Sequence, residues 1–215
     1  MKPFVLLNSA MTVDGKIATK NSSLQISGKE DLIRVHKLRK KYDAIMVGIN
    51  TVIVDNPKLT IHKIEASQKY NPIRIIIDSK ARTPLDALVL NDDAKTIIIV
   101  SEIAPKENIK KLGKKCEILV CGQQQVNLKE AMSKLYDKGI KSILLEGGST
   151  LNFSMFKEGL IDEVSICIGS KILGGTSSKT LVDGEGFEAD NCVNLELKKI
   201  EKIDNDVVLS YNVLN

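Results

Sequence analysis

The chain has 215 residues, 43% of them hydrophobic and 27% charged, enough to bury a full core as one domain over 1–215. Its 31 basic and 27 acidic residues leave a net charge of +4, too mild and too dispersed for a nucleic-acid surface. The sequence has no apolar run long enough to span a membrane and no signal peptide, and its four cysteines form no CxxC pair, so a cytoplasmic protein with free thiols and no metal site is expected.

Residues 4–7 read as a first strand, Phe-Val-Leu-Leu, and Ala10-Met11-Thr12-Val13-Asp14-Gly15-Lys16-Ile17-Ala18 follows it. Asp14-Gly15 is a turn signal, and Lys16 beyond it faces either solvent or a ligand phosphate. Ser27-Gly28-Lys29-Glu30 has the form of a capping box and opens a helix to about Lys41. That helix places His36 on its surface and ends in a basic run, Lys37 to Lys41, that complements the helix dipole.

A second strand over 44–47 stops at Gly48. Thr51 and Asp55 then lie four residues apart, so one helical turn puts both on the same face, where they can hold a ribose or an amide. The alternative is that Asn50 or Thr51 caps a short helix ended by Pro57. His62, after Leu59-Thr60, is a better site candidate than His36.

Further apolar runs at Ile73–Ile77, Thr96–Val100, Glu117–Val120, Ser142–Leu145 and 164–168 have the near-continuous character of strands covered on both faces. Asp78-Ser79, with Lys80 and Arg82 beyond, follows the first of these, and Ser101 follows the second. Asn127 can cap a helix over Leu128–Asp137 that Gly139 ends. A weaker helix follows Gly148 and ends near Gly159. At the C-terminus, 193–203 and 207–213 flank Asp204-Asn205-Asp206 as an antiparallel hairpin. Strand–helix alternation with short connections predicts an α/β fold with a mainly parallel central sheet, flanking helices and this hairpin at one edge. Two segments, 19–24 and 174–186, read as loops over a site.

The motif richest in chemistry is Ile143-Leu144-Leu145-Glu146-Gly147-Gly148-Ser149-Thr150-Leu151. A buried strand ends at a carboxylate and two glycines and then enters a helix, whose free amides suit a phosphate. The competing reading is a glycine turn that only packs helix on sheet. Four strands end in small or polar groups, at Gly48/Thr51, Asp78/Ser79, Ser101 and Glu146/Gly147, and their convergence at one edge would build a ligand crevice.

Taken together, Ala10-Met11-x-x-Asp14-Gly15-Lys16-Ile17-Ala18, Leu38-Arg39-x-x-x-Asp43-Ala44-Ile45, Gly48-x-x-Thr51-Val52-x-x-Asp55-Asn56-Pro57-x-Leu59-Thr60, Asp78-Ser79 and Glu146-Gly147-Gly148-Ser149-Thr150-Leu151 resemble the riboflavin-biosynthesis reductases. The motifs Gly159-Leu160-Ile161-Asp162-Glu163 and Ile172-Leu173-Gly174-Gly175 fit the same family. The resemblance implies a dihydrofolate-reductase-like fold, NADPH as cofactor with NADH as an alternative, and a homodimer. It implies reduction of the ribosyl group of a phosphoribosylamino-pyrimidinone, by hydride transfer to C1′ of a ring-opened imine.

Bacterial members commonly carry a zinc deaminase ahead of the reductase. No H-x-E with P-C-x-x-C precedes the reductase segment here, so the resemblance points to the stand-alone type acting on 2,5-diamino-6-ribosylamino-4(3H)-pyrimidinone 5′-phosphate. The deaminated pyrimidine, a dihydrofolate reductase activity and a non-catalytic nucleotide-binding module are the alternatives.

By resemblance, Ala10, Thr51, Asp55, Asp78, Ser79, Arg82, Ser101 and Gly147 to Leu151 contact the cofactor. Ser23, Arg39, Leu59, His62 and Glu146 contact the substrate, with Arg39 matching phosphate geometry and Glu146 accepting from the pyrimidine amino groups. The proton donor is Glu146, Lys16 or a bound water. Bacterial members often have tryptophan where Gln25 stands and arginine where His62 stands, which removes a stacking group and makes phosphate binding at His62 weaker or pH-dependent.

Overall fold

In the computed structural model, residues 1–19 and 24–214 are described. Nine strands form one sheet in the order β10-β11-β8-β1-β7-β3-β4-β5-β6. These are β1 (Phe4–Thr12), β3 (Ala44–Gly48), β4 (Ile73–Ile77), β5 (Thr96–Val100), β6 (Glu117–Val120), β7 (Ser142–Leu145), β8 (Glu163–Gly169), β10 (Asn194–Ile203) and β11 (Asp206–Leu214). All pairings from β8 through β1, β7, β3, β4 and β5 to β6 are parallel. The hairpin β10–β11 adds to β8 antiparallel. The expected mainly parallel sheet with a C-terminal hairpin is therefore what the chain forms.

Alternation across the pleat sends successive side chains to opposite faces, and each face has its own core. On one face Val5, Leu7, Met46, Ile75, Ile97, Ile99 and Leu145 pack on Ala131, Met132 and Leu135 of α4 (Leu128–Asp137) and on Leu151 and Met155 of α5 (Ser149–Lys157). On the other, Leu6, Ile45, Val47, Ile76, Ile98 and Leu144 pack on Leu38 of α1 (Lys29–Lys41), Val52 of α2 (Ile49–Asp55) and Leu112 of α3 (Lys106–Leu112). Burial on both sides explains why these strands read as unbroken Ile/Val/Leu runs.

Local chemistry sets the helix ends. Asn127 accepts a hydrogen bond from the Glu130 N–H and caps α4 as its sequence suggests. The Ser27/Glu30 capping box does not form. Gly28 is the N-cap of α1 with no side-chain cap, and its N–H donates to Asp206 Oδ2 at 2.7 Å. A carboxylate 178 residues away thus takes the N–H of the residue that caps the helix instead of Ser27. Helix α2 is capped by Gly48, with Asn50 and Thr51 inside it, and stops just before Pro57 at Asn56, in the left-handed conformation with φ 40°.

Strand β1 runs five residues past the apolar run, because its polar residues are bonded internally: Thr12 Oγ1 donates to Asp14 and accepts from the Lys16 N–H. A second, two-stranded sheet pairs β2 (Lys16–Ala18) with β9 (Lys179–Thr180). Asp14 anchors this region to the chain beyond β8 by accepting from the Leu173 and Gly174 N–H groups. The Thr12 hydroxyl and those two amides hold the Asp14 carboxyl well down, at about 2.

Among the cysteines, Cys121 and Cys167 are buried, Cys116 is partly buried and Cys192 is exposed. Burial pushes the Cys167 thiol up to about 12, so it is an inert core residue. Among the described residues, no helix is long and apolar enough to cross a membrane.

Candidate active site

At the carboxyl edge of the parallel strands lies a cleft of about 1,810 Å³. A single small ligand usually occupies roughly 300–1,000 Å³, so this cleft has room for two. Its walls include Ala10 of β1, Thr51 and Asp55 of α2, Ser79 after β4, Glu146 after β7, and Gly148 to Leu151 at the start of α5. Ile17, Ala18, Thr19 and Lys179, from the β2/β9 sheet and its edge, line it as well. The cleft sits where β7 separates β1 from β3 and where helices depart to opposite faces, the switch point at which open α/β sheets bind ligands.

The turn between β7 and α5 is built for close approach. Gly147 adopts φ +95°, a conformation L side chains rarely take, and its carbonyl accepts the Gly48 N–H at 2.8 Å. A Cβ on Gly148 would stand 3.4 Å from Thr51 Oγ1, so the starts of α2 and α5 are nearly in contact across this glycine. Gly148 caps α5 with no side chain on its amides. The first amides of the helix have no partner within it, and the helix dipole makes that end positive. This is a phosphate cradle that a side chain at Gly148 would fill.

Beside it, Glu146 is gripped by Arg39 of α1. Arg39 Nε donates to Oε1 at 2.9 Å and Nη2 to Oε2 at 2.7 Å, while Nη1 donates to the Thr60 carbonyl at 3.0 Å. Both side chains are largely buried, with 13% and 12% exposed. Burial works against the Arg39 charge, but the Glu146 carboxylate more than offsets it and raises the Arg39 pKa. The guanidinium expected to meet a phosphate is instead engaged by a carboxylate and a carbonyl. The pair fixes Glu146 in place with its outer edge on the cleft.

Several other expected site residues lie behind the cleft wall. Asp78 and Ser101 are fully buried. Asp78 Oδ2 accepts from the Thr83 N–H and hydroxyl, and Ser101 Oγ donates to the Ser79 carbonyl. Lys16 and Leu59 are not among the lining residues, although Ile17 and Ala18 next to Lys16 are. Arg82 is exposed, donates to Asn50 Oδ1 at 3.1 Å, and with Lys80, Ser79, Ile49 and Ile77 borders a small side pocket. Ser23 lies outside the described residues.

Of the two histidines, His36, expected on the helix surface, is the one that differs from expectation. His36 is buried, 3% exposed, and His62 is exposed. Their rings meet edge to face with centroids 4.4 Å apart. His36 Nδ1 accepts the His62 N–H at 3.0 Å, a partner 26 residues away that no helical pattern reveals. Burial, with the nearby Arg39 charge, pushes His36 from 6.5 down to about 3. Its stabilising effect is full above the unfolded value of 6.5 and is lost as pH falls from 6.5 toward 3, because only the unfolded chain takes the proton in that window. The urea midpoint of the wild type should therefore drop across this window. His36→Gln, whose amide oxygen can accept the same N–H, should show a shallower drop, and parallel curves would exclude the assignment.

Sequence reading missed both ends of the cleft. Asn8, Ser27 and Asp31 line it at one, and Gln123 to Gln125 line it at the other, beyond β6. Asn8 and Asp31 are buried polar residues in an apolar strand and a helix, and what makes them conspicuous is a third residue, Arg34, that bonds both.

The fold recurs in solved reductases. The deaminase/5-amino-6-(5-phosphoribosylamino)uracil reductase of Thermotoga maritima superposes with a TM-score of 0.81 at 27% identity, over 99% of this chain and 57% of that one. The riboflavin biosynthesis reductase of Saccharomyces cerevisiae superposes at 0.75 and 25% identity, over 99% and 90%. Fold and site thus define an α/β oxidoreductase of the dihydrofolate-reductase-like architecture. The chain belongs to the RibD C-terminal domain family, which it matches over residues 3–209, the reductases of riboflavin biosynthesis. It is 51% identical over 214 residues to the 2,5-diamino-6-ribosylamino-4(3H)-pyrimidinone 5′-phosphate reductase of Methanothermobacter thermautotrophicus, covering 99% of both chains.

Proposed function

We propose that the chain reduces 2,5-diamino-6-ribosylamino-4(3H)-pyrimidinone 5′-phosphate to its ribitylamino product with NADPH. The observation that carries this reading is the two-ligand cleft, with an open phosphate cradle at Gly148–Thr150 and a fixed carboxylate, Glu146, next to it. The cofactor supplies a hydride. The protein's part is to hold its diphosphate on the α5 amides, with Thr51 and Asp55 beside it, and to hold the sugar's C1′ within about 3–3.5 Å of the donor carbon. The C1′=N double bond of the ring-opened imine becomes a C–N single bond as hydride adds to carbon and a proton to nitrogen.

A carboxylate whose two oxygens already lie on a guanidinium acts as an acceptor, so Glu146 orients a ring N–H rather than giving up a proton. With Lys16 off the cleft wall, water is the proton source this reading favours. The deciding assay follows NADPH oxidation with the diamino, deaminated and dihydrofolate substrates. Turnover of the diamino compound supports the proposal, and tight NADPH binding with no turnover of any of them supports a binding module.

Lys80 and Arg82 at the side pocket suit the 2′-phosphate that distinguishes NADPH from NADH. Arg82→Ala should raise the KM for NADPH about tenfold, the loss of one charge-assisted contact, and leave the KM for NADH unchanged. The proposed homodimer is supported by the exposed apolar residues Leu195, Leu197 and Ile200 on the outermost strand, β10. A cytoplasmic location accords with a biosynthetic reductase.

A further inference from the structure

We infer that Asp31 reads the amino-bearing edge of the substrate's pyrimidine and so selects the 2-amino ring over its deaminated counterpart. The inference rests on the substrate class proposed above.

Asp31 lies in the first turn of α1, is 2% exposed, and lines the cleft. Its Oδ1 accepts Arg34 Nε at 2.7 Å. Arg34 gives its two other nitrogens to Ser165 Oγ of β8 at 3.0 Å and Asn8 Oδ1 of β1 at 2.9 Å. The guanidinium is tied to three elements, and it holds the carboxylate still. A carboxylate buried this deeply needs such a partner. It also has about four acceptor positions, of which Arg34 Nε takes one and the Cys167 thiol faces another. The remaining capacity is available to a donor in the cleft.

The placement relative to Glu146 matters. Glu146 follows β7, whereas Asp31 is tied through Arg34 to β1 and β8, one and two strand spacings of about 4.8 Å further along the sheet. Along α1, Asp31 stands eight residues before Arg39, the partner of Glu146, which is about 12 Å of helix at 1.5 Å per residue. Both carboxylates line the same cleft, Asp31 from α1 and Glu146 from the end of β7.

The chemistry of the ring completes the argument. A 2-amino-4(3H)-pyrimidinone presents its N3–H and an exocyclic N–H side by side, two donors that match the two oxygens of one carboxylate. Its 5-amino group and 6-amino linkage lie across the ring, where Glu146 would take an N–H. Deamination at C2 puts a carbonyl oxygen in place of the amino group, and that oxygen has no donor to meet and is repelled by the carboxylate. A site built this way binds one ring and rejects the other.

The test compares kcat/KM for the diamino and deaminated substrates in wild type and Asp31→Asn, with NADPH affinity measured by fluorescence. Wild type should favour the diamino substrate at least tenfold. Asp31→Asn should lose at least tenfold on the diamino substrate, mainly in KM, and hold or gain on the deaminated one, because its amide N–H can donate to the new carbonyl. NADPH affinity should stay within twofold. Equal losses on both substrates would show a merely structural role and overturn the inference, as would no change on either. Should the variant fail to fold, wild type alone decides. A product analogue with hydrogen in place of the 2-amino group should inhibit at least tenfold more weakly than the product, and equal inhibition overturns the inference. Failure of wild type to turn over either pyrimidine would instead overturn the activity on which it rests.

Discussion

Glu146→Leu should destabilise the protein by about 3–5 kcal/mol, because it leaves the Arg39 guanidinium buried with only the Thr60 carbonyl as partner. The double variant Arg39→Met/Glu146→Leu should recover much of that loss, since an apolar pair needs no compensation there. Urea unfolding of the four proteins checks this, and additive losses would deny the coupling. Activity should respond differently. Glu146→Gln keeps the shape of the side chain but cannot hold Arg39 as an ion pair, and turnover should fall on the order of 10²-fold, the size expected when a bound reactant is displaced by about an ångström. Near-wild-type turnover by Glu146→Gln would remove Glu146 from the substrate site.

The second large effect is expected at Gly148. Its Cβ position is already 3.4 Å from Thr51 Oγ1, so the branched side chain of Gly148→Val must push between α2 and α5. NADPH affinity should fall on the order of 10²-fold through lost amide contacts, each worth about 1.5–3 kcal/mol to a charged group. Equilibrium binding of NADPH measures it. Gly139→Ala is the control: this glycine has positive φ, at 90°, which Gly148 does not, nothing lies within 4 Å of its Cβ, and it precedes β7, at the end of that strand away from the cleft, so the variant should lose some stability and no affinity.

The parts of the fold legible in the sequence were those fixed by continuous burial. Strands β4, β5, β6 and β7 begin and end where their apolar runs do; β4, β5 and β7 are covered on both faces, with Arg74 inside β4 bonded to the Val89 and Asn91 carbonyls, while β6 is a half-exposed edge. The polar half of β1 was not legible. Asn8 and Thr12 belong to that strand only because Arg34, Asp14 and the Lys16 amide satisfy them. Helix α1 shows the same limit. Its start is set by Asp206, and its buried His36 answers to His62. Local pattern names none of these partners. Helix α3 lacks a strong periodic stripe and β9 is two residues long, so neither stood out.

The site divides along the same line. The Glu146–Leu151 turn was recognisable because its glycines and carboxylate are consecutive, and the Thr51/Asp55 pair because helical spacing is local. The role of Arg39 was misjudged, since its 107-residue separation from Glu146 hides the ion pair and leaves a solitary arginine that suits a phosphate.

Strand β1 has only β7 and β8 as neighbours, and both come from residues beyond 141. During synthesis the first strand made therefore has no sheet partner until some two-thirds of the chain has emerged. The β3–β6 half can assemble earlier, through sequential parallel pairs. Such long-range closure folds slowly and leaves Val5, Leu6 and Leu7 open to wrong partners meanwhile. Chaperone dependence should thus fall on the N-terminal strand, and a nascent chain stalled before residue 142 should expose it.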